Sequence, residues 1–227
     1  MSTLAQLITR VQALLADDGT LFTTTIVTEA LRHALEDYTA ASPLQRETVL
    51  TLPGAGREIA LSSLTDLLGV SSVWWPYDST GSEQWPPNRV KGLRLWWDDG
   101  LPVLFLTTLL GAQPQTDDEL RLWYTLPHTI QNLDSEAVTS PSTSHQTQLV
   151  RGAAGYACLS RGTAKNETAA NAQLTVNYGT LAQFFLAQFQ LFIENLRTQG
   201  AEGPAFGAGW QLDKWDGRDD TPVGWSI

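Results

Sequence analysis

The chain has 227 residues, a formal charge of −10 and a sequence pI near 4.6. That length admits one or two domains with a real core. The acidity argues against sequence-independent nucleic-acid binding, which needs clustered Lys and Arg against phosphates. An acidic chain can still surround DNA without gripping it, because like charges repel. The single cysteine, Cys158, excludes an internal disulfide and a multi-cysteine zinc site. The opening "MSTLAQLITRVQALLADDG" lacks a basic segment followed by a continuous apolar one, so it does not read as a signal peptide. No stretch approaches the roughly 20 apolar residues a membrane span needs. The expectation is a soluble chain made in a reducing compartment.

Leu4, Leu7, Ile8, Val11, Leu14 and Leu15 recur at helical spacing, with Ser2 or Thr3 as N-cap and Asp17-Asp18-Gly19 as the stop. A second helix follows through Ile26, Val27, Ala30, Leu31, Ala34 and Tyr38, with caps at Thr23 to Thr25 and an end at Ser42-Pro43. A connection of about six residues predicts an antiparallel pair.

From Gln45 the period changes to two. "ETVLTLPGAGREIALSSL" reads as two strands joined by a Pro-Gly-x-Gly hairpin turn, and "LLGVSSVWWPYD" as a third strand interrupted at Pro76. "GLRLWWDDGLPVLFLTT" is the clearest hairpin, since Asp99-Gly100 suits the positive φ of a tight turn. "ELRLWYTLP" is taken as the fifth strand, ending at Pro127. Trp123 and Tyr124 then point to opposite faces, so at most one belongs to the core.

"NLDSEAVTSPSTSHQTQ" reads as a polar loop and "QLVRGAAGYACLSR" as a third helix. Gly152 and Gly155 cost that helix roughly 1 kcal/mol each against Ala, and close approach of another helix explains tolerating them. The fourth helix is predicted from about Ala172 to Arg197, with Tyr178, Leu181, Phe185, Phe189, Phe192, Ile193 and Leu196 along one stripe. The last residues, 200–227, follow neither period. They are glycine-rich yet carry Phe206, Trp210, Trp215 and Trp225, as an arm anchored by aromatics on a partner would. The fold expected is therefore α+β. It has a small four-helix bundle (1–44 and 131–199), an inserted antiparallel β-sandwich or barrel-like module (45–130) and an extended C-terminal arm (200–227).

No catalytic constellation emerges. The three histidines, His33, His128 and His145, fall on a helix face, after a strand and in a polar loop, and no H-x-x-x-H, H-E-x-x-H or G-x-S-x-G occurs. His128 with Asp78 or Asp134 would be an acid–base pair only if the fold joined them. Cys158 lies in an apolar helix and reads as a small buried residue. "LPGAG" (52–56) lacks the Lys-Ser/Thr ending of a phosphate loop, and "DKWDGRDD" (213–220) departs from calcium-loop spacing. No cofactor, metal or enzymatic role is expected. The Trp pairs 74/75 and 96/97 put one ring on each face of a strand, so one of each pair is expected in the core. The other ring suits a subunit contact or a sugar platform, and Trp74 and Trp97 are the candidates for subunit packing.

The order of these parts resembles the head–tail connector (adaptor, or head-completion) proteins of tailed bacteriophages. The phrases that carry this are "LAQLITRVQALLADDG…FTTTIVTEALRHALEDYTAASP", "ETVLTLPGAGREIALSSLTDLLGVSSVWWPYD", and "ELRLWYTLPHTI" followed by "LVRGAAGYACLSR", within residues 1–197. The Ser/Thr-rich loop 131–146 and the tryptophan content depart from the family's pattern. The resemblance implies a virion protein of the neck, at the head–tail interface, present in the host cytoplasm during assembly. It would form a homo-oligomeric ring, commonly dodecameric, under the portal. It would bind the portal protein by its C-terminal arm, with Phe206, Trp210, Trp215 and Trp225 as contacts, and a downstream neck, stopper or tail protein on its other side. Trp74, Trp97, Gly152 and Gly155 would be subunit contacts. DNA would pass through the channel without specific binding, and no membrane would be involved. The rival reading is a carbohydrate-binding tail or baseplate module using exposed tryptophan.

Overall fold

Thr3 starts α1 (Leu4–Leu14) with a reciprocal cap: its hydroxyl accepts from the Gln6 N–H, and the Gln6 carboxamide accepts from the Thr3 N–H at 3.0 Å. In the computed structural model, residues 2–81, 89–108, 113–166 and 177–201 are described. Asp17 ends the first helix by organising the loop after it. Its carboxylate accepts from the N–H groups of Gly19, Leu21 and Phe22 at 3.1, 3.2 and 2.8 Å. Burial works to raise the pKa of Asp17, but the N–H donors of Phe22, Leu21 and Gly19 and the Thr20 hydroxyl outweigh it and hold it below the usual carboxylate value. The loop spans residues 15–23, longer than expected, before α2 (Thr24–Ala41).

The third helix, α3 (Thr143–Asn166), begins inside the stretch expected to be loop, because Ser142 is a serviceable N-cap. The Ser142 carbonyl accepts from Gln146 N–H at 2.9 Å and its hydroxyl from His145 N–H at 3.4 Å. The fourth helix, α4 (Tyr178–Ala201), runs on into the stretch expected as the arm, and residues 172–176 of the predicted helix lie outside the described ones. These helices and their connections make one compact unit, Met1–Ser42 with Thr129–Ile227. They share one apolar cluster in which Leu7, Val11, Val27, Leu31, Leu149, Phe189 and Ile193 are fully buried. Each such side chain stabilises the fold by roughly 1.5–3 kcal/mol relative to exposure.

Gly152 and Gly155 mark where α3 and α4 touch. A Cβ on Gly152 would lie 2.8 Å from the Phe189 ring, and one on Gly155 would lie 2.7 Å from Leu186 Cγ and 3.1 Å from its backbone nitrogen. The helix tolerates both glycines because nothing larger fits. The Ser/Thr-rich connection before α3 has an equally local explanation. Thr139 is 1% exposed, and its hydroxyl donates to Ser2 C=O at 2.7 Å while accepting from Gln131 N–H at 2.8 Å. The Ser140 hydroxyl accepts from Thr129 N–H at 2.9 Å. Short hydroxyl side chains here pair backbone groups that no ladder reaches.

The second unit, Pro43–His128, holds six strands among its described residues. They are β1 (Leu44–Thr51), β2 (Glu58–Ala60), β3 (Gly69–Tyr77), β4 (Gly92–Asp98), β5 (Leu101–Thr108) and β6 (Glu119–Leu126). Five were expected; the tight hairpin itself contributes two. They form two three-stranded antiparallel sheets, ordered β1-β6-β3 and β2-β5-β4, and no closed barrel, which removes the barrel-like alternative. The β4–β5 turn is as expected: Asp99 and Gly100 have φ of 46° and 78°.

The "LPGAG" hairpin is not formed. β1 pairs with β6 and β2 with β5, so residues 52–57 carry the chain from one sheet to the other. Leu52, instead of turning back, extends the β1 pairing: its N–H donates to Asp118 C=O at 2.8 Å and its C=O accepts from Asp117 N–H at 2.9 Å. The crossover lets Leu52, Ile59 and Leu61 enter one core with Val73, Trp75, Leu104, Leu106, Leu120 and Leu122. β6, last in sequence, is the central strand of its sheet. β3 runs past Pro76 to Tyr77 with a register shift after Trp74, and the Trp75–Pro76 peptide is cis.

Candidate protein-interaction surface

Strand alternation sorts β6 cleanly. Leu120 and Leu122 are fully buried, with Tyr124 packed beside them, whereas Arg121 and Trp123 face the other way. On that outer face Arg121 is paired in register with Trp74 of β3 and Val49 of β1, and Trp123 with Glu47 of β1. The Trp74 and Trp123 ring centroids are 4.5 Å apart at an interplanar angle of 52°. The Arg121 guanidinium carbon lies 4.9 Å from the Trp123 centroid, 5.4 Å from Trp74 and 5.6 Å from Tyr77. Its Nη2 also donates to Glu47 Oε2 at 3.1 Å. The result is a half-buried plate of three aromatic rings around one cation, with Val49 exposed beside it. Cation–π contacts of this kind contribute about 0.5–1 kcal/mol each at exposed sites.

The other sheet also carries aromatics outside the core. Trp96 lies against Phe105, centroids 5.8 Å apart, and is half-buried. Trp97 is 53% exposed at the end of β4, paired in register with Pro102 of β5. The expectation of one core ring per Trp pair therefore holds for Trp75, 8% exposed, and fails for 96/97. The core-facing positions of β4 are Leu93 and Leu95; Trp97 shares their parity but stands past the edge of the core.

Gly152 and Gly155 are buried under α4 of the same chain, so the close contact they permit is intramolecular. The α4 face turned away from that contact leaves Phe184 and Leu191 exposed at 55% and 61%. Phe206, Trp210, Trp215, Trp225 and the "DKWDGRDD" stretch lie outside the described residues.

The groups weighed for catalysis have local partners. The His145 Nδ1 is 2.7 Å from the Tyr38 hydroxyl, and burial lowers the basicity of that imidazole. His33 Nδ1 lies 3.4 Å from Glu36 on the same helix, and His128 is buried. Asp134 is bidentate with Arg32, which also bonds Glu29. Asp78 closes its own turn by accepting from Thr80 and Gly81. Burial pushes the Cys158 thiol up to about 11, so it is not a thiolate at neutral pH. Among the described residues no group of three or more His, Cys, Asp and Glu is placed to hold a metal ion, and no helix is long and apolar enough to cross a membrane.

The aromatic plate is the feature that the sequence alone did not assemble. Arg121, Tyr77 and Glu47 carry no signal individually, and only the register of β3 and β1 on β6 brings them around Trp123.

No protein-family model matches the chain, and no curated protein does. Among solved structures it is similar to one described as the neck of an empty GTA particle computed with C6 symmetry. The identity is 14%, the match covers 71% of this chain and 78% of that one, and the TM-score is 0.28. A likeness that distant carries no functional argument.

Proposed function

We propose that the chain is a structural virion protein of a tailed phage, a head–tail adaptor. Copies would form a ring, commonly dodecameric in the family it resembles, that binds the portal and leaves a channel for DNA. In this reading the four helices act as a bundle, the sheet unit is the inserted module, and residues 200–227 are the portal-binding arm. The observation that supports it best is the outer face of the β1-β6-β3 sheet. Trp, Tyr and Arg are the residue types that carry binding energy at desolvated contacts, and here they form one plate with a ready apolar neighbour in Val49. The acidity of the chain suits a wall past which DNA slides.

Two measurements test the reading. Electron microscopy of the chain mixed with portal should show a ring, which Trp74→Ala or Trp123→Ala disperses while the fold persists. Cutting after Ala201 should abolish co-sedimentation with portal. Rings unaffected by the tryptophan variants would sink the proposed contact, and full co-sedimentation without the last residues would sink the arm.

Trp97 favours a second reading, a carbohydrate-binding tail module. It is the one described tryptophan with most of its ring in solvent, whereas Trp74 and Trp123 are engaged with each other and with Arg121. Strong glycan-array binding that Trp97→Ala removes would support it over the adaptor.

A further inference from the structure

On the helical unit, α2 and α3 together line a groove of about 550 Å³. Its floor is apolar: Ala30 is buried, Ile26 is half-buried, and Leu159 is 47% exposed. The rings of His33 and Tyr156, centroids 5.6 Å apart, wall one end, and Glu29 stands on the rim. The volume falls within the range of pockets that take a ligand or one or two side chains.

The charge around this groove has one sign in excess. Glu29 and Glu36 have side chains 55% and 72% exposed, and Asp37 accepts a hydrogen bond from Tyr156. Burial, then Asp37 and Glu36, push the Tyr156 phenol up, so it keeps its proton and donates it to Asp37. Arg32 is the cation recorded beside Glu29, and it is already held in a bidentate pair with Asp134. Arg32 thus serves two of the four carboxylates, Glu29 and Asp134, while Glu36 lies by His33 and Asp37 by Tyr156 beside the apolar floor.

We infer that this groove docks a short segment of a partner protein that presents a large apolar side chain flanked by Lys or Arg. The apolar side chain would cover Ile26, Ala30 and Leu159, and the flanking cations would meet Glu29, Glu36 and Asp37. An acidic or uncharged segment would gain only the first of these contacts, so the complementarity selects a basic one. The inference stands apart from the adaptor reading, since the groove asks nothing of the ring or the portal.

Fluorescence anisotropy of the full chain with a fluorescein-labelled peptide, Lys-Lys-Leu-Trp-Lys-Lys, tests this against its counterpart Glu-Glu-Leu-Trp-Glu-Glu. The basic peptide should bind at least about tenfold more tightly, with affinity falling as salt rises. The double variant Glu29→Gln/Glu36→Gln should weaken it about fivefold. Leu159→Lys and Ser160→Trp, both at exposed positions, should abolish binding by charging or filling the groove while leaving the circular dichroism unchanged. As a control for bulk charge, Asp98→Asn/Asp99→Asn in the β4–β5 turn should change affinity less than about twofold. Equal binding of the two peptides, wild-type affinity in Leu159→Lys or Ser160→Trp, or an equal loss in the Asp98/Asp99 control would each overturn it. Tighter binding by Trp215→Ala would also overturn it, in favour of occupation by the chain's own C-terminal stretch.

Discussion

In the helical unit most of the large rings point inward, with Phe184 of α4 the exposed exception. Phe22, Phe185, Phe189 and Tyr38 are buried, and Gly152 and Gly155 clear the room that Phe189 and Leu186 fill. In the sheet unit Trp75 is the buried tryptophan among the described residues, while Trp74, Trp96 and Trp123 are half-buried and Trp97 is exposed. Both units have an aliphatic core, so this contrast is not one of stability. A large ring kept at a surface forgoes most of the burial that would stabilise its own unit. What it retains is area that a neighbour can desolvate. The helical unit is thus organised around its own packing, and the sheet unit around an outward-facing aromatic layer.

The largest effect that tests this contrast lies within the sheet unit. Trp75→Ala should cost roughly 3–4 kcal/mol, because it empties a buried site. Trp97→Ala should cost under about 0.5 kcal/mol, as for a surface position without special contacts. Urea unfolding would read both, and comparable losses would erase the distinction between core and outer ring. Trp75→Phe sharpens the test. The Trp75 indole N–H is buried without a hydrogen-bond partner, so losing it should offset part of the lost volume.

The next effect sets the two units against each other through one substitution. Gly155→Ala should destabilise by about 2 kcal/mol, since overpacking against Leu186 costs more than the roughly 1 kcal/mol that helix propensity returns. Gly54→Ala, in the sheet unit, meets nothing within 4 Å and should be neutral within about 0.5 kcal/mol. A stabilising Gly155→Ala would mean that α3 and α4 do not approach as closely as described. Arg121→Ala should follow, at about 1 kcal/mol of stability, through loss of its contacts with the aromatic plate and Glu47. Its effect on ring formation should exceed that, and equal effects would make the plate a structural brace only.

The helices were legible in the sequence because their signals are local: an apolar stripe at helical spacing, Ser2 or Thr3 as a cap, Asp17-Asp18-Gly19 as a stop. The β4–β5 hairpin was legible for the same reason, through Asp99-Gly100. What the sequence did not supply was pairing between distant strands. "LPGAG" has hairpin chemistry, but the partner of β1 comes some seventy residues later in β6, and no local residue encodes that choice. The start of α3 was missed for a different reason. Serine and threonine in "TSPSTSHQTQ" read as loop, although one of them, Ser142, is the cap and others pair the backbone of the connection. The candidate surface fails in the same way as the sheet order. Trp74 was identified from its doublet, but Arg121 and Tyr77 join it only through register.

The smallest effect concerns the pH response, and it belongs to the helical unit. His145 of α3 lies against Tyr38 of α2 and Phe192 of α4, with the Tyr38 hydroxyl 2.7 Å from Nδ1. Burial lowers the pKa of His145 below its ordinary 6.5 and raises that of Tyr38, so at neutral pH the phenol donates and the imidazole accepts. Because the folded value lies below the unfolded one, the unfolded state binds more protons between the two, and stability rises with pH across that window. The contribution is fully present above pH 6.5 and is lost as pH falls through the folded pKa. Protonation also removes the acceptor on Nδ1, so the Tyr38 hydroxyl must turn and accept instead of donating. Thermal unfolding between pH 7.5 and 5 should therefore show a falling Tm, and His145→Gln should flatten that slope while lowering Tm slightly at pH 7.5. An unchanged slope in His145→Gln would place the acid sensitivity at a group other than His145.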